Sequence, residues 1–257
     1  MGEFSTVERD GHLTVVTINR PEVMNALHPP ANFELAAIFD DFAADPEQWV
    51  AIVTGAGERA FSTGNDLVFQ AKGGAIEIPP SGFGGLTNRF DQAKPVIAAV
   101  NGFAMGGGFE VALACDLIVA AENAVFALPE PRVGLAALAG GMHRLPRQIG
   151  LKQAMGMLLT GRRVSAAEGK ELGFVNEVVP VGEALAGARR WAEMILECAP
   201  SSIRATKQCA MQGLEKSGLE AAMLGNYPAV GRLFMSKNFR EGPRAFAEKR
   251  KPEWVGE

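Results

Sequence analysis

The sequence predicts an α/β fold that ends in a helical part. Three observations carry this: a strand, helix, strand unit within residues 13 to 57, a second such unit between residues 95 and 130, and the loss of strand character after Pro180. Repeated units of this kind lay parallel strands in one layer with helices packed against it.

The first strand lies in HLTVVTINRPE, where apolar and polar residues alternate from Leu13 to Ile18 and the run stops at Pro21. Residues 31 to 45, ANFELAAIFDDFAAD, carry apolar side chains at helical spacing, and WVAIVTGAG (49 to 57) is the next strand, with a Gly-rich exit. The pattern recurs in PVIAAVNG (95 to 102), a short β-branched run ending in a turn. EVALACDLIVAA then shifts from helical to strand character, and AVFALPE (124 to 130) begins as another strand. Further on, QAMGMLLTG ends a helix at Gly161. In SAAEGKELG, Ser165 and Glu168 have capping-box spacing and Gly173 is a C-cap. FVNEVV adds a strand, after which amphipathic segments at 183 to 198, 201 to 216 and 219 to 234 form the helical end. With no low-complexity linker and no exact repeat, one domain is expected.

Composition narrows the function classes. A chain of 257 residues with 47% hydrophobic residues can bury a sizeable core. Its 25 Lys+Arg against 29 Asp+Glu leave a net charge of −4, which offers no field to attract nucleic acid or an anionic membrane. Cys115, Cys198 and Cys209 are odd in number and lack CxxC spacing, so they read as reduced thiols of a cytosolic chain. The N-terminus MGEFSTVERDGHL has no basic region or apolar run, and no apolar stretch reaches the roughly 18 residues that span a bilayer. A soluble cytoplasmic protein is expected. Gly2 with Thr6 fits the short myristoylation pattern, but no basic patch supports it. His12, His28 and His143 lie in three different contexts without ligand spacing, which disfavours a metal or a His-based nucleophile.

The stretch NGFAMGGGFEVALACD (101 to 116) sets Glu110 just beyond three consecutive glycines, at a helix start. No Lys-Ser/Thr pair completes a P-loop and the spacing is not GxGxxG, so a nucleotide loop is disfavoured. What remains is a flexible backbone whose unpaired N–H groups and positive dipole end favour an oxyanion or a polarised carbonyl. Close packing is the competing explanation for the glycines, and dipole stabilisation for Glu110. In AFSTGNDL (60 to 67), Gly64 forms a turn from which the Asn65 N–H could converge with that of Gly107. Two such groups make an oxyanion hole.

AFSTGNDL followed by KPVIAAVNGFAMGGGFEVALACDLIVA (94 to 120) resembles the enoyl-CoA hydratase/isomerase, or crotonase, family. The similarity continues through FALPEPRVGL, LTGRRVSAAE, LGFVNEVV and EGPRAFAEKRKP, nearly the whole chain. It implies ββα turns wound into a spiral over residues 1 to 195. A C-terminal helical region, 196 to 257, would pack against neighbouring subunits in a homotrimer or a dimer of trimers.

The resemblance implies that Asn65 and Gly107 hold the thioester oxygen of an acyl-CoA and that Glu110 and Glu130 are the catalytic pair, with no separate cofactor and no metal. Glu110 would activate water at C3 and Glu130 would deliver the C2 proton, with the roles reversed for dehydration. Ala26, Leu27, Gly64, Asp66, Leu67 and Gly106 would line coenzyme A and the acyl group, and Lys249 would reach CoA phosphate from a neighbouring subunit. Asp66 also suits a turn aspartate that bonds local backbone.

Two departures concern the substrate. Val68 stands where many hydratases carry a basic residue. Ala137 and Leu138 replace the Pro-Gly pair common in straight-chain hydratases, so Leu138 should narrow and dry the acyl pocket. SGFGGLT, GGFEVALA and EGPRAFAEKR with the Trp of PEW look like carnitinyl-CoA dehydratases, in which an acidic residue takes the place of Leu138. The expected activity is reversible hydration of a 2-enoyl-CoA, the carnitinyl-CoA variant included. A shift of the double bond between C3 and C2 and a non-catalytic acyl-CoA scaffold are the alternatives.

Overall fold

In the computed structural model, which describes residues 2–256, ten strands form two sheets. The larger sheet has the order β1 (Ser5–Asp10), β2 (Leu13–Ile18), β3 (Val50–Gly55), β5 (Val96–Val100), β7 (Leu117–Ala121) and β10 (Glu177–Val179). Only the β1–β2 hairpin is antiparallel; the remaining pairs are parallel. The smaller sheet has the order β4 (Ala60–Ser62), β6 (Phe103–Met105), β8 (Val125–Ala127) and β9 (Val164–Ser165).

The central strands β2, β3, β5 and β7 are buried on both faces, which is why their sequences run almost continuously apolar, whereas the edge strand β1 is largely exposed. Ala51, Val53, Ala98, Val100, Ile118 and Ala120 face the main core with α1 (Pro29–Ala44). Val50, Ile52, Ile97, Ala99, Val119 and Ala121 face a second core that includes α7 (Ala184–Leu196). Gly187 lets α7 approach closely, since a Cβ there would sit 2.8 Å from a Val119 methyl.

The remaining helices are α2 (Leu67–Ala71), α3 (Gly107–Ala114), α4 (Gly141–Gln148), α5 (Leu151–Thr160), α6 (Ala166–Leu172), α8 (Pro200–Gly213), α9 (Leu219–Met223), α10 (Pro228–Met235) and α11 (Lys237–Glu248). The Ser165 hydroxyl accepts the Glu168 N–H, and Gly173 closes α6 in the left-handed region, as its spacing predicts. The helix expected over 219 to 234 is broken into α9 and α10, because Pro228 has no N–H to continue the ladder and biases Tyr227 away from helical geometry. No helix among the described residues is long and apolar enough to cross a membrane.

Three successive strand pairs set the plan. β3 leads into β4, β5 into β6, and β7 into β8, so each chain pass crosses the larger sheet and then enters the smaller one. Because β4, β6 and β8 are parallel neighbours, their C-terminal ends lie side by side. Ligands bind at this end of parallel strands.

Candidate active site

The turns leaving β4, β6 and β8 carry Asn65, Gly107 and Glu130, so the fold brings together residues spread over 66 positions of sequence. The first turn is fixed from outside: the Leu27 N–H donates to Gly64 O at 2.7 Å, and the Asp66 N–H donates to Leu27 O at 3.1 Å. These bonds straddle Asn65 and leave its N–H unused, while its side chain donates to Gln70 Oε1 at 2.8 Å. Gly64 has φ +84°, and a Cβ on it would lie 2.7 Å from the Gly107 nitrogen. Only glycine lets the two N–H-bearing segments come this close.

The second turn is the glycine run. Gly106 takes φ +53° and turns the chain sharply from β6 into α3. A Cβ on Gly107 would strike the Phe83 ring, at 2.5 Å, and one on Gly108 would strike Ser62 O, at 2.1 Å. Gly108 is glycine for packing, and Gly107 presents the first N–H of a helix, which has no intrahelical partner. Phe109 anchors α3 against Phe126 and Phe174, at ring separations of 5.1 and 5.2 Å. Such pairs are each worth about 0.5–1.5 kcal/mol beyond their burial.

Glu110 follows Phe109 on α3 and is 3% exposed. Its Oε1 accepts the Gly141 N–H at 2.8 Å. Burial, reinforced by the Glu130 carboxylate, pushes its pKa up to about 7 against the opposing pull of the Gly141 and Ala139 N–H groups and Arg144. Glu130 begins the 3₁₀ turn Glu130–Val133, and its Oε1 lies 3.1 Å from where Gly106 would carry a Cβ. Its Oε2 is buried with no hydrogen-bond partner among the described residues, and burial raises its pKa too. Burial biases both carboxyls toward holding a proton. Two unused N–H groups beside such a pair can stabilise developing negative charge and move protons at neighbouring atoms.

Asp66 caps α2 by accepting the Phe69 N–H at 3.0 Å and pairs with Arg20 at 3.1 Å. Burial alone would raise its pKa, but these partners hold it below the usual carboxylate range. Its side chain is thus committed to local backbone and Arg20. Arg20 also donates to Ala26 O. Leu27 is fully buried and reaches the site through the backbone bonds it makes to residues 64 and 66. Leu67 and Val68 are exposed beside the turn. In the loop of residues 133 to 141 the inward side chain is Ala137, at 4% exposure, whereas Leu138 is 76% exposed. Leu138 thus stands on the outside of this loop in the single chain, with Ala137 packed beneath it. Lys249 is an exposed residue in the left-handed region at the end of α11. The histidines stay apart: His12 stacks on Trp49, His28 meets Phe4 and Phe69, and His143 lies on α4.

Sequence reasoning missed Gly141, Phe83 and Arg144. Gly141 acts through its main chain, 31 residues from Glu110, Phe83 meets Gly107 from 24 residues away, and Arg144 lies against Gly140 on the turn that holds Glu110. The GG pair at 140 and 141 was the only local sign.

The fold and its edge of N–H groups and carboxyls place the protein among mixed α/β proteins built to handle a carbonyl compound. The family model described as enoyl-CoA hydratase/isomerase matches residues 8–257, and the chain belongs to that family. A carnitinyl-CoA dehydratase of Escherichia coli (strain SMS-3-5 / SECEC) is 44% identical, with both chains covered in full. Among solved structures, an enoyl-CoA hydratase from Mycobacterium tuberculosis H37Rv is 37% identical with TM-score 0.93, each chain covered in full. A carnitinyl-CoA hydratase from Mycobacterium avium is 38% identical with TM-score 0.79, each chain covered to 99%.

Proposed function

We propose that this protein is an enoyl-CoA hydratase that reversibly adds water across the C2=C3 bond of a 2-enoyl-CoA. The observation that carries the reading is the placement of two carboxyls, the buried Glu110 and the half-buried Glu130 with its enclosed Oε2, at the sheet edge that presents the Asn65 and Gly107 N–H groups. Those N–H groups receive the thioester oxygen. In hydration, Glu110 takes a proton from water as its oxygen bonds to C3, the C2=C3 π electrons move onto the thioester oxygen as an enolate, and Glu130 delivers its proton to C2. In dehydration, Glu130 removes the C2 proton while Glu110 protonates the departing hydroxyl. The working state in either direction holds one proton between the two carboxyls. Burial raises both carboxyls, Glu110 the more deeply buried of the two, so each is biased toward the protonated form that one direction of the reaction needs.

No cofactor beyond the substrate's own coenzyme A takes part in this chemistry. Ala26, Leu27, Gly64, Asp66, Leu67 and Gly106 border the proposed CoA and acyl site, Leu138 meets the acyl end, and Lys249 serves CoA phosphate across a subunit boundary. We assign residues 1–195 to the spiral core and 196–257 to assembly of a homotrimer or dimer of trimers, in the cytoplasm.

A second reading, dehydration of carnitinyl-CoA, is favoured by the 44% identity to carnitinyl-CoA dehydratases. An exposed apolar Leu138 gives a trimethylammonium group no anionic partner, which favours an uncharged acyl chain. The test is to incubate the protein with crotonyl-CoA and with crotonobetainyl-CoA and follow loss of the conjugated thioester absorbance, beside Glu110→Gln and Glu130→Gln. Hydration of crotonyl-CoA that disappears in both variants is the expected result, and preference for crotonobetainyl-CoA would assign the second reading. No turnover by a folded, CoA-binding protein would move the function to double-bond isomerisation or a non-catalytic role.

A further inference from the structure

Arg144 is half-buried on α4, yet no carboxylate lies within ion-pair distance of it among the described residues. Its Nη2 donates to Thr87 O at 2.8 Å, and its guanidinium lies over the Phe90 ring, 5.5 Å from the centroid. Its own N–H donates to Gly140 O at 2.7 Å. A Cβ on Gly140 would come within 2.2 Å of its Nη1, so the guanidinium lies directly on the 140–141 turn. That turn supplies the Gly141 N–H to Glu110.

The opposite end of the clamp leads to the other half of the site. Thr87 is fully buried, and its hydroxyl accepts the Phe83 N–H at 2.8 Å. Phe83 in turn presses its ring against Gly107. The forked guanidinium thus spans the segment that seats one oxyanion donor and the turn that seats one carboxyl, a geometry that a lysine ammonium cannot reproduce.

We infer that Arg144 is a positioning residue that couples the seat of the Gly107 N–H to the seat of Glu110. The inference rests on the hydratase reading for its kinetic consequences, although the coupling itself does not. Besides each other, Arg144 and Glu110 face two titratable groups, Glu130 and Cys115. Glu130, from its 3₁₀ turn, raises the Glu110 pKa and Arg144, from α4, lowers it, while Cys115 at the end of α3 is held protonated by complete burial. Removing the Arg144 cation therefore favours protonated Glu110.

The experiment compares wild type, Arg144→Gln and Arg144→Lys by crotonyl-CoA kinetics across pH and by carboxyl ¹³C titration of Glu110. In Arg144→Gln, kcat falls about tenfold or more through misplacement of reacting groups, KM changes little, and both the alkaline limb and the Glu110 midpoint move to higher pH. Arg144→Lys keeps the charge, so its midpoint stays near that of wild type while kcat still falls. A Glu110 midpoint in Arg144→Gln identical to wild type overturns the inference, whether or not the protein turns over crotonyl-CoA. Absence of turnover by wild type overturns the hydratase reading alone. If Arg144→Gln does not fold, a kcat for Arg144→Lys equal to that of wild type overturns the inference.

Discussion

The two ends of the molecule treat apolar side chains in opposite ways. Around the small sheet, Phe61, Phe109 and Phe126 are fully buried, and the Glu130 Oε2 is buried without a hydrogen-bond partner among the described residues. In the C-terminal helices, Leu224, Met235 and Phe246 are each at least 80% exposed. The first region buries its large apolar side chains within one chain, whereas the second presents an apolar face of a kind that monomeric proteins rarely leave in water, the face we assign to assembly.

The largest effect that could break this comparison is on turnover. Glu110→Gln and Glu130→Gln should each lower kcat for crotonyl-CoA hydration by on the order of 10²- to 10⁴-fold, as steady-state assays would show; retained activity in either removes that carboxyl from the mechanism. Next is Gly64→Ala, which forces a side chain to φ +84° and against the Gly107 nitrogen. Losing one aligned oxyanion donor lowers kcat by on the order of 10²- to 10³-fold, and a wild-type kcat in a folded variant would show that Gly64 does not set the approach.

Stability gives a smaller effect with a definite sign. Burial raises the folded pKa of Glu110 from 4.5 to about 7, so keeping this group folded favours stability below its unfolded pKa, and that benefit is lost as pH rises through about 7. Glu110→Gln keeps an acceptor for Gly141 but cannot ionise. It should stabilise the protein by up to roughly 3 kcal/mol at pH 8 and hardly at all at pH 4; thermal melts at the two pH values check this, and equal shifts would contradict it. The smallest intrachain effect belongs to the tail: Leu224→Glu with Met235→Glu should change the fold's own stability by no more than about 0.5 kcal/mol per site. Sedimentation should nevertheless show a smaller assembly, and an unchanged mass would separate these side chains from the interface.

What could be read in the sequence follows from how local each cause is. β2, β3, β5 and β7 were legible because burial on both faces makes them apolar runs. The edge strand β1 was not, since STVERD is largely exposed and carries no apolar alternation. The break at Tyr227–Pro228 was written in the proline, but apolar periodicity on both sides concealed it. α11 went unread for the opposite reason, since Pro243 inside it argues against a helix. Of the site, the glycine run and the two glutamates stand out because backbone requirements are local. The donor that holds Glu110 lies 31 residues away at Gly141, and the Arg144 clamp reaches Thr87 across 57 residues, so neither leaves a pattern in any window.

If Glu110 and Glu130 share one proton over one substrate, kcat/KM against pH for wild type follows a bell, since that quantity reports ionisations of the free enzyme. The bell falls at low pH as both carboxyls become protonated and falls again near pH 7 as Glu110 gives up the shared proton. A profile that rises through pH 7 to a level plateau would rule out the shared proton.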